Sequence, residues 1–290
     1  MDDPVMPWSV GIRFSHATLQ VLAEDSGVDL LHVKGPAVDQ RLTEGERQSI
    51  DADVLVRPGH VDRLVDTLHA HGWTTTYRFE DGSAFEHAST LVHPVLAPVD
   101  VHRSFPGLDG GEDAFDRLWA DRRTAVIAGV PCPVPSLAAQ RLLLVLHATR
   151  AGALASPDIR RSWDDATEAE REELLALARD VGAEVALAAG TGRLAQFAGR
   201  PGHDLWRALS SRETSQARVL VARVRAAPTR RAKVRTAVHL LLPNRRRMET
   251  RLGRPPTTRE VAAAYFSRSR AGTRELVALL RAAARERRGR

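Results

Sequence analysis

Cysteine is almost missing from this chain of 290 residues. The single cysteine, Cys132, lies between two prolines, so neither a disulfide framework nor a thiolate metal site can form. No run of apolar residues is long enough to span a bilayer, and the first residues, MDDPVMPWSV, are acidic and lack the apolar stretch of a secretion signal. These absences predict a cytoplasmic protein without a membrane span.

Lysine is also scarce, because nearly every basic residue is an arginine. The formal net charge of +6 is unevenly distributed along the chain. Residues 200–290 contain 24 basic residues against 6 acidic ones, so residues 1–199 carry the acidic surplus. A basic region of this kind binds nucleic acid, an anionic substrate or an acidic surface, or it is the solvated face of Arg-rich helices. Composition leaves these alternatives open.

The first half of the chain alternates short apolar runs with amphipathic stretches. Its apolar runs are strand-like and end at glycine or proline, and the stretches between them have helical spacing. This alternation predicts a small mixed sheet with helices packed on it. The predicted order is helix 11–27, strand 30–33, helix 37–45, strand 50–56, helix 60–72, and short strands within 74–79, 83–88 and 97–105.

The second half of the chain has a helical pattern. Apolar residues recur at helical spacing in 136–152, 168–182 and 185–199, and each segment ends in glycine. Further helices are expected in the Arg-rich stretch after Pro228. We therefore predict an α+β fold in two domains. Residues 1–135 form the domain with the small mixed sheet, and residues 136–290 form a helical, Arg-rich C-terminal domain.

Three aspartates stand in or beside predicted strands. Asp51 and Asp53 project from the same face of their strand, because side chains alternate between faces. Two adjacent negative charges repel each other unless a cation lies between them, and carboxylates are the ligands that Mg²⁺ takes beside substrate phosphates. Asp100 lies in a second strand between Val99 and Val101, where an unpaired acid is costly. The pattern predicts a metal site, although a D-x-D pair by itself is also found as solvated acids.

Groups suited to bind phosphate lie close to these aspartates in sequence. Lys34 and Gly35 end a predicted strand, and a glycine turn that opens a helix offers backbone N–H groups to phosphate. Arg47 has a guanidinium that can reach a metal-bound triphosphate, or it is a solvated loop residue. His102 shares a strand face with Asp100, so it orients an acceptor, carries a proton or serves as a hydrogen-bonded structural residue.

The succession of a glycine turn, a D-x-D strand and a third carboxylate strand resembles the DNA polymerase beta-type nucleotidyltransferase superfamily. The closer resemblance is to the family of uncharacterised nucleotidyltransferases found in bacterial biosynthetic clusters, and it covers most of the chain. The motifs that carry it are HVKGPAVDQRL, RQSIDADVLVRP and VDVHRSF, with LLLVLHATRAG, LLPNRRRM and AAAYFSRSRAGTREL in the helical region.

This resemblance implies an enzyme that transfers a nucleoside monophosphate from an NTP, with ATP expected, to a hydroxyl-type acceptor. It implies that Asp51 and Asp53 bind the Mg²⁺, or Mn²⁺ in its place, that carries the nucleotide. Asp100 would then activate the acceptor hydroxyl or complete a second metal site. The acceptor stays open among small molecules, peptides, proteins and RNA, because a fold does not determine it.

The sequence departs from the superfamily pattern at two positions. Pro36 follows Gly35 where the superfamily usually has serine, and Ala52 stands between the two aspartates where a bulky aliphatic residue is usual. The missing hydroxyl keeps a second hypothesis open, in which the protein binds a nucleotide without catalysing a reaction. A third reading is a nucleic-acid-binding protein, based on the basic region and on LGRPPTTREVAAAYF.

Overall fold

The computed structural model describes residues 6–45, 49–82 and 85–211, together with short stretches between residues 219 and 270. The chain divides into two compact units, Met1–Trp206 and Arg207–Arg290. The domain boundary predicted between residues 135 and 136 falls inside the first unit and stays a prediction. In the second unit, the helix α10 spans Arg245–Leu252.

Within the described residues, one mixed sheet of five strands forms the centre of the first unit, in the order β1-β2-β5-β4-β3. Strands β2 and β5 are parallel, and every other neighbouring pair is antiparallel. This mixed sheet, with helices before, within and after it, confirms the predicted α+β fold. The strands are β1 (Leu30–Val33), β2 (Ala52–Val56), β3 (Thr74–Tyr77), β4 (Ala88–Val92) and β5 (Val99–His102).

One face of the sheet is covered by helices α1 (Trp8–Ser26) and α2 (Val61–Ala70). Because side chains alternate along a strand, Ala52, Val54 and Val56 of β2 point into the core beneath these helices. Asp53 therefore projects from the opposite face, and the apolar spacing of β2 decides which face carries the acid.

The remaining elements follow the sheet strands or connect them. Strands β6 and β7 form a separate antiparallel hairpin. Helix α5 is buried along most of its length, and the Ser136 side chain caps its start. No helix in the described part of the chain is long and apolar enough to cross a membrane. The bounds are β6 (Arg123–Ile127), β7 (Val130–Val134), α3 (Phe79–Gly82), α4 (Glu112–Ala120), α5 (Leu137–Arg150), α6 (Pro157–Ile159), α7 (Glu168–Asp180), α8 (Glu184–Gly190) and α9 (His203–Ser210).

Four local expectations differ from the structure. The helix predicted over 185–199 ends at Gly190, and a short 3-10 turn, Leu194–Phe197, follows it. The helix predicted over residues 37–45 is absent, and two short 3-10 turns, Gly35–Ala37 and Gln40–Leu42, stand there with an extended Val38 between them. Of the strand predicted over 83–88, residues 83–84 lie outside the described residues, and strand β4 begins only at Ala88. The β6–β7 hairpin was not predicted, because its prolines obscure the strand pattern.

Candidate functional site

Strand pairing places two of the predicted aspartates side by side. In the parallel register of β2 and β5, Asp53 lies opposite Asp100 and Leu55 lies opposite His102. Among the described residues, Asp53, Asp100 and His102 each offer one ligand atom, and these three atoms lie within 4.8 Å of one another. A cluster of this kind forms only because the two strands are neighbours in this register.

Two partners hold the carboxylate of Asp53, which is only 2% exposed. Lys34 Nζ donates to its Oδ1 at 2.5 Å, and His102 Nε2 lies 2.7 Å from the same oxygen. Burial by itself would raise the pKa of Asp53, but the charge of Lys34 and the hydrogen bond from His102 outweigh it and lower that pKa. Asp53 is therefore ionised, and His102 Nε2 carries the proton that it donates.

Lys34 reaches Asp53 from a strained turn. Its φ of 60° is rare for a residue with a side chain, and such strain is typical of functional sites. At Gly35, with a φ of 45°, an added Cβ would come within 3.2 Å of Ser49 Cβ. Gly35 thus lets the turn after β1 pack closely against the segment that leads into β2.

Asp51 lies one residue before β2 and is half-buried. The Ser49 hydroxyl donates to the Asp51 carbonyl oxygen at 2.8 Å and lies 3.2 Å from its Oδ1. Burial, with the negative charges of Asp53 and Asp100, raises the pKa of Asp51 to about 7. The three predicted aspartates therefore interact as one electrostatic cluster.

The donor set of this cluster fits a hard divalent cation. Carboxylate oxygens are the ligands that Mg²⁺ and Mn²⁺ prefer, and the raised pKa of Asp51 reflects negative charge crowded into a partly buried space. Asp100 is also oriented, because the Thr90 hydroxyl donates to its Oδ1 at 2.5 Å. A cation bound here would relieve the repulsion among the three acids.

Histidines and an arginine form the wall beyond Asp53. The rings of His87 and His102 lie 5.3 Å apart between centroids. Arg150, the last residue of α5, donates to His87 Nε2 at 2.6 Å, and its other terminal nitrogen lies 3.5 Å from His147 Nδ1. Sequence reasoning missed Arg150. The available signal was its position three residues after His147, which places both side chains on one helix face.

The structure thus brings together Lys34, Asp53, Asp100 and His102. Asp51 interacts with the two other aspartates through its charge. Gly35 lies beside them in the turn, but a 3-10 turn follows it instead of the expected helix. Arg47 lies outside the described residues.

Comparison with known proteins gives one family match. A family model described as an uncharacterised nucleotidyltransferase matches residues 12–199. No curated protein matches the chain.

Several solved structures share weak similarity with the chain. The lincomycin-bound lincosamide antibiotic adenylyltransferase LnuA is 18% identical over 62% of this chain and 100% of its own, with a TM-score of 0.33. The complex of ANT(2")-Ia with adenylyl-2"-tobramycin is 16% identical over 63% of this chain and 97% of its own, with a TM-score of 0.36. An antigenic nucleotidyltransferase-like protein from Paracoccidioides brasiliensis is 16% identical over 74% of this chain and 98% of its own, with a TM-score of 0.36. At these values the similarities identify no substrate.

Proposed function

This chain belongs to the family of uncharacterised nucleotidyltransferases, and we propose that it transfers a nucleoside monophosphate from an NTP to an acceptor hydroxyl in a metal-dependent reaction. The observation that carries this proposal is the pairing of Asp53 with Asp100 across two parallel strands, with Lys34 on Asp53. ATP is the expected nucleotide and the cytoplasm the expected compartment.

Asp51 and Asp53 would hold the Mg²⁺, or Mn²⁺ in its place, that carries the nucleotide, and Asp100 would complete the set. When bound, the ion supplies positive charge to the phosphate oxygens. Lys34 and Gly35 lie beside these acids, so their turn would contact the phosphates, with Arg47 as a further predicted phosphate ligand. Lys34 would exchange part of its contact with Asp53 for the triphosphate.

The acceptor oxygen would attack the α-phosphorus of the nucleotide. A new oxygen–phosphorus bond forms while the bond from the α-phosphorus to its bridging oxygen breaks, and pyrophosphate leaves. Asp100 would accept the proton of the attacking hydroxyl, and its hydrogen bond from Thr90 keeps one oxygen fixed in direction. The residues thus supply position and charge for the transfer.

His102 would act as a positioning residue for Asp53. It is 2% exposed and its Nε2 lies on the Asp53 carboxylate, so its geometry favours orienting that ligand. For the predicted role on the acceptor side, the hydrogen bond between His102 and Asp53 would have to break. Acceptors from small molecules to RNA stay compatible with the site.

The pairing of Lys34 with Asp53 also supports a second candidate function. A lysine ammonium on this carboxylate at 2.5 Å neutralises it without a metal. Together with Pro36 after Gly35, this pairing supports a degenerate protein that binds a nucleotide and does not transfer it.

Calorimetry with a non-hydrolysable ATP analogue, in EDTA and in Mg²⁺, tests the metal-dependent site. We expect binding to require Mg²⁺, because the carboxylates repel the bare triphosphate. Asp53→Asn should weaken that binding at least about 10-fold, as losing a metal ligand or its support does. Asp62→Asn is the matched control, since Asp62 is exposed on α2. Equal affinity with and without Mg²⁺ would contradict the proposal.

Transfer is tested by incubating the protein with Mg²⁺, α-labelled NTPs and host extract. A labelled product that Asp53→Asn does not form supports the transferase. Mg²⁺-dependent binding with no labelled product across the extract and broad acceptor panels would instead favour the degenerate protein.

A further inference from the structure

Arg150 ends helix α5 in the wall of the site, and its guanidinium is half-buried. In the described part of the chain, both hydrogen-bond partners of Arg150 are imidazole nitrogens. Arg150 Nη1 donates to His87 Nε2 at 2.6 Å, and Nη2 lies 3.5 Å from His147 Nδ1. Arginine has only N–H donors, so each imidazole must present a lone pair to it.

These two partners orient Arg150 without neutralising it. Burial, with the nearby positive charge of Arg150, lowers the pKa of His87 to about 2. Burial, with Lys34 and Arg150, lowers the pKa of His147 to about 4. Both imidazoles are therefore uncharged at neutral pH, and the positive charge of Arg150 is available to an anion.

Among the residues that the structure describes, none places a carboxylate within ion-pair distance of Arg150. Burial lowers the pKa of Arg150, and the negative charges of Asp53 and Asp100 act against that shift. Since Arg150 is charged across the physiological pH range, it is a cation that faces the carboxylate cluster without touching it. Metal bound to the carboxylates would weaken even this attraction.

The strand register places His87, the partner of Arg150, and the backbone turn after β1 towards opposite ends of β2 and β5. Val33 pairs with Asp53, so the turn that follows Val33 lies towards the beginning of β2 and β5. His102 lies two residues beyond Asp100 on β5 and pairs with Ala88, and His87 immediately precedes Ala88. The paired carboxylates thus lie between the turn on one side and the His87–Arg150 pair on the other.

We propose that Arg150, oriented by His87 and His147, binds an anionic group of the acceptor, a carboxylate or a phosphate, on the side of the carboxylates away from the backbone turn that follows β1. This inference rests on the proposed function, in which the turn at Lys34 contacts the nucleotide phosphates. The guanidinium fork suits both oxyanions because it can donate two parallel hydrogen bonds. The acceptor is therefore an anionic hydroxyl compound.

Inorganic phosphate is the probe for this anion site. The full-length protein is first saturated with Mg²⁺ and a non-hydrolysable ATP analogue, and phosphate is then titrated by calorimetry. We expect wild-type protein to bind phosphate, and Arg150→Gln to weaken this binding at least about 10-fold, as expected for a charge-assisted contact. The analogue itself should bind Arg150→Gln within about 2-fold of wild type.

Two further variants control for folding and for general charge. Arg150→Lys keeps the charge but lacks the fork, so its phosphate affinity should lie between those of wild type and Arg150→Gln. If Arg150→Gln does not melt cooperatively, the loss of phosphate affinity in Arg150→Lys is the deciding measurement. Arg179→Gln, at an exposed position on α7, should bind phosphate like wild type.

Each arm has an outcome that overturns the assignment. Phosphate that does not bind wild type, or binds Arg150→Gln or Arg150→Lys equally well, rules out the anion site. If Arg150→Gln loses affinity for the ATP analogue, Arg150 contacts the triphosphate instead of the acceptor. Identification of the labelled extract product as a neutral acceptor also overturns it. Failure of wild type to bind the analogue with Mg²⁺ would instead contradict the proposed function.

Discussion

At the scale of single residues, three aspartates of similar chemistry occupy three different environments. Asp53 is buried between a lysine and a histidine and is held ionised. Asp51 is half-buried at the edge of β2 with a pKa raised to about 7 by burial and by its acidic neighbours. Asp100 accepts a hydrogen bond from the Thr90 hydroxyl. These differences predict different kinetic consequences when each carboxylate is removed.

We expect Asp100→Asn to lower transfer about 100-fold or more while leaving nucleotide binding largely intact, because it removes a proton acceptor and retains the side-chain shape. Asp51→Asn should weaken binding and turnover together, since it removes a ligand of the ion that carries the nucleotide. Steady-state kinetics and calorimetry on both variants measure the split. An Asp100→Asn enzyme with wild-type turnover, beside an inactive Asp53→Asn control, would show that β5 has only a structural role.

His102→Asn should lower turnover about 10- to 100-fold, the usual effect of losing a partner that orients a metal ligand. The buried hydrogen bond to Asp53 at 2.7 Å is the reason, since the carboxylate would keep only Lys34 on that oxygen. If His102 instead orients the acceptor, the Michaelis constant for the acceptor would rise and the affinity for Mg²⁺ would not change. Titrating activity with Mg²⁺ separates the two roles.

At the scale of elements, a buried histidine pair joins helix α1 to strand β1. His16 Nδ1 and His32 Nδ1 are 2.8 Å apart and share one hydrogen bond, and His32 Nε2 lies 3.0 Å from the Gln20 side-chain oxygen. His16 Nε2 is buried without a partner among the described residues and lies 3.9 Å from the position of a Cβ on Gly35. The pair packs beneath the turn that carries Lys34.

This pair predicts loss of stability in mild acid. Burial lowers the pKa of His16 from its ordinary 6.5 to about 4, despite the opposing charge of Asp53. The unfolded chain therefore takes up a proton below pH 6.5 that the native protein refuses until about pH 4. Stability is fully present above the first value and is lost as the pH falls towards the second. Between pH 7 and pH 5, His16 should account for about 2 kcal/mol.

Urea unfolding at both pH values measures this effect. His16→Gln should show a smaller decrease between them, because its side chain does not titrate. A pH dependence in His16→Gln equal to that of wild type would contradict the assignment. Exposed His71, at the end of α2, gives the control variant His71→Gln.

At the scale of the whole molecule, the site depends on an element far along the chain from its carboxylates. Helix α5 contributes Arg150 to the wall, and its Gln140 side-chain oxygen accepts from the Asp39 backbone N–H at 2.7 Å. Leu143 and Leu144 of α5 line one small cavity with Lys34. The first helix that follows the β6–β7 hairpin thus borders the site through these contacts.

A chain ending at residue 135 should therefore fail to bind Mg²⁺ and ATP, because it lacks α5 and exposes the apolar residues that α5 covers. A chain ending at residue 211 retains the compact unit Met1–Trp206 and should unfold cooperatively. Circular dichroism melting and calorimetry on the two shortened chains check this. A shorter chain that stays folded and binds the nucleotide would instead support a self-sufficient domain of residues 1–135.

The sequence by itself determined the α+β class, the strand around Asp53, the strand around Asp100 and the acidic and basic halves of the chain. These features follow from local sequence patterns. Two or three successive helical turns or strand pleats are enough to show the periodicity of an element. The helix expected after Gly35 does not form, because Pro36 and the positive φ angles of Lys34 and Gly35 favour a short turn.

Only the tertiary structure decided that β2 and β5 are neighbours in the register that sets Asp53 against Asp100. It also decided that Lys34 and His102 meet on one carboxylate oxygen, and that Arg150 of α5 contacts His87 in the wall of the site. Strand pairing and helix docking are set by how apolar faces pack between segments distant in sequence, and no local pattern encodes that choice. For this reason the acids could be predicted one at a time, whereas their partners required the fold.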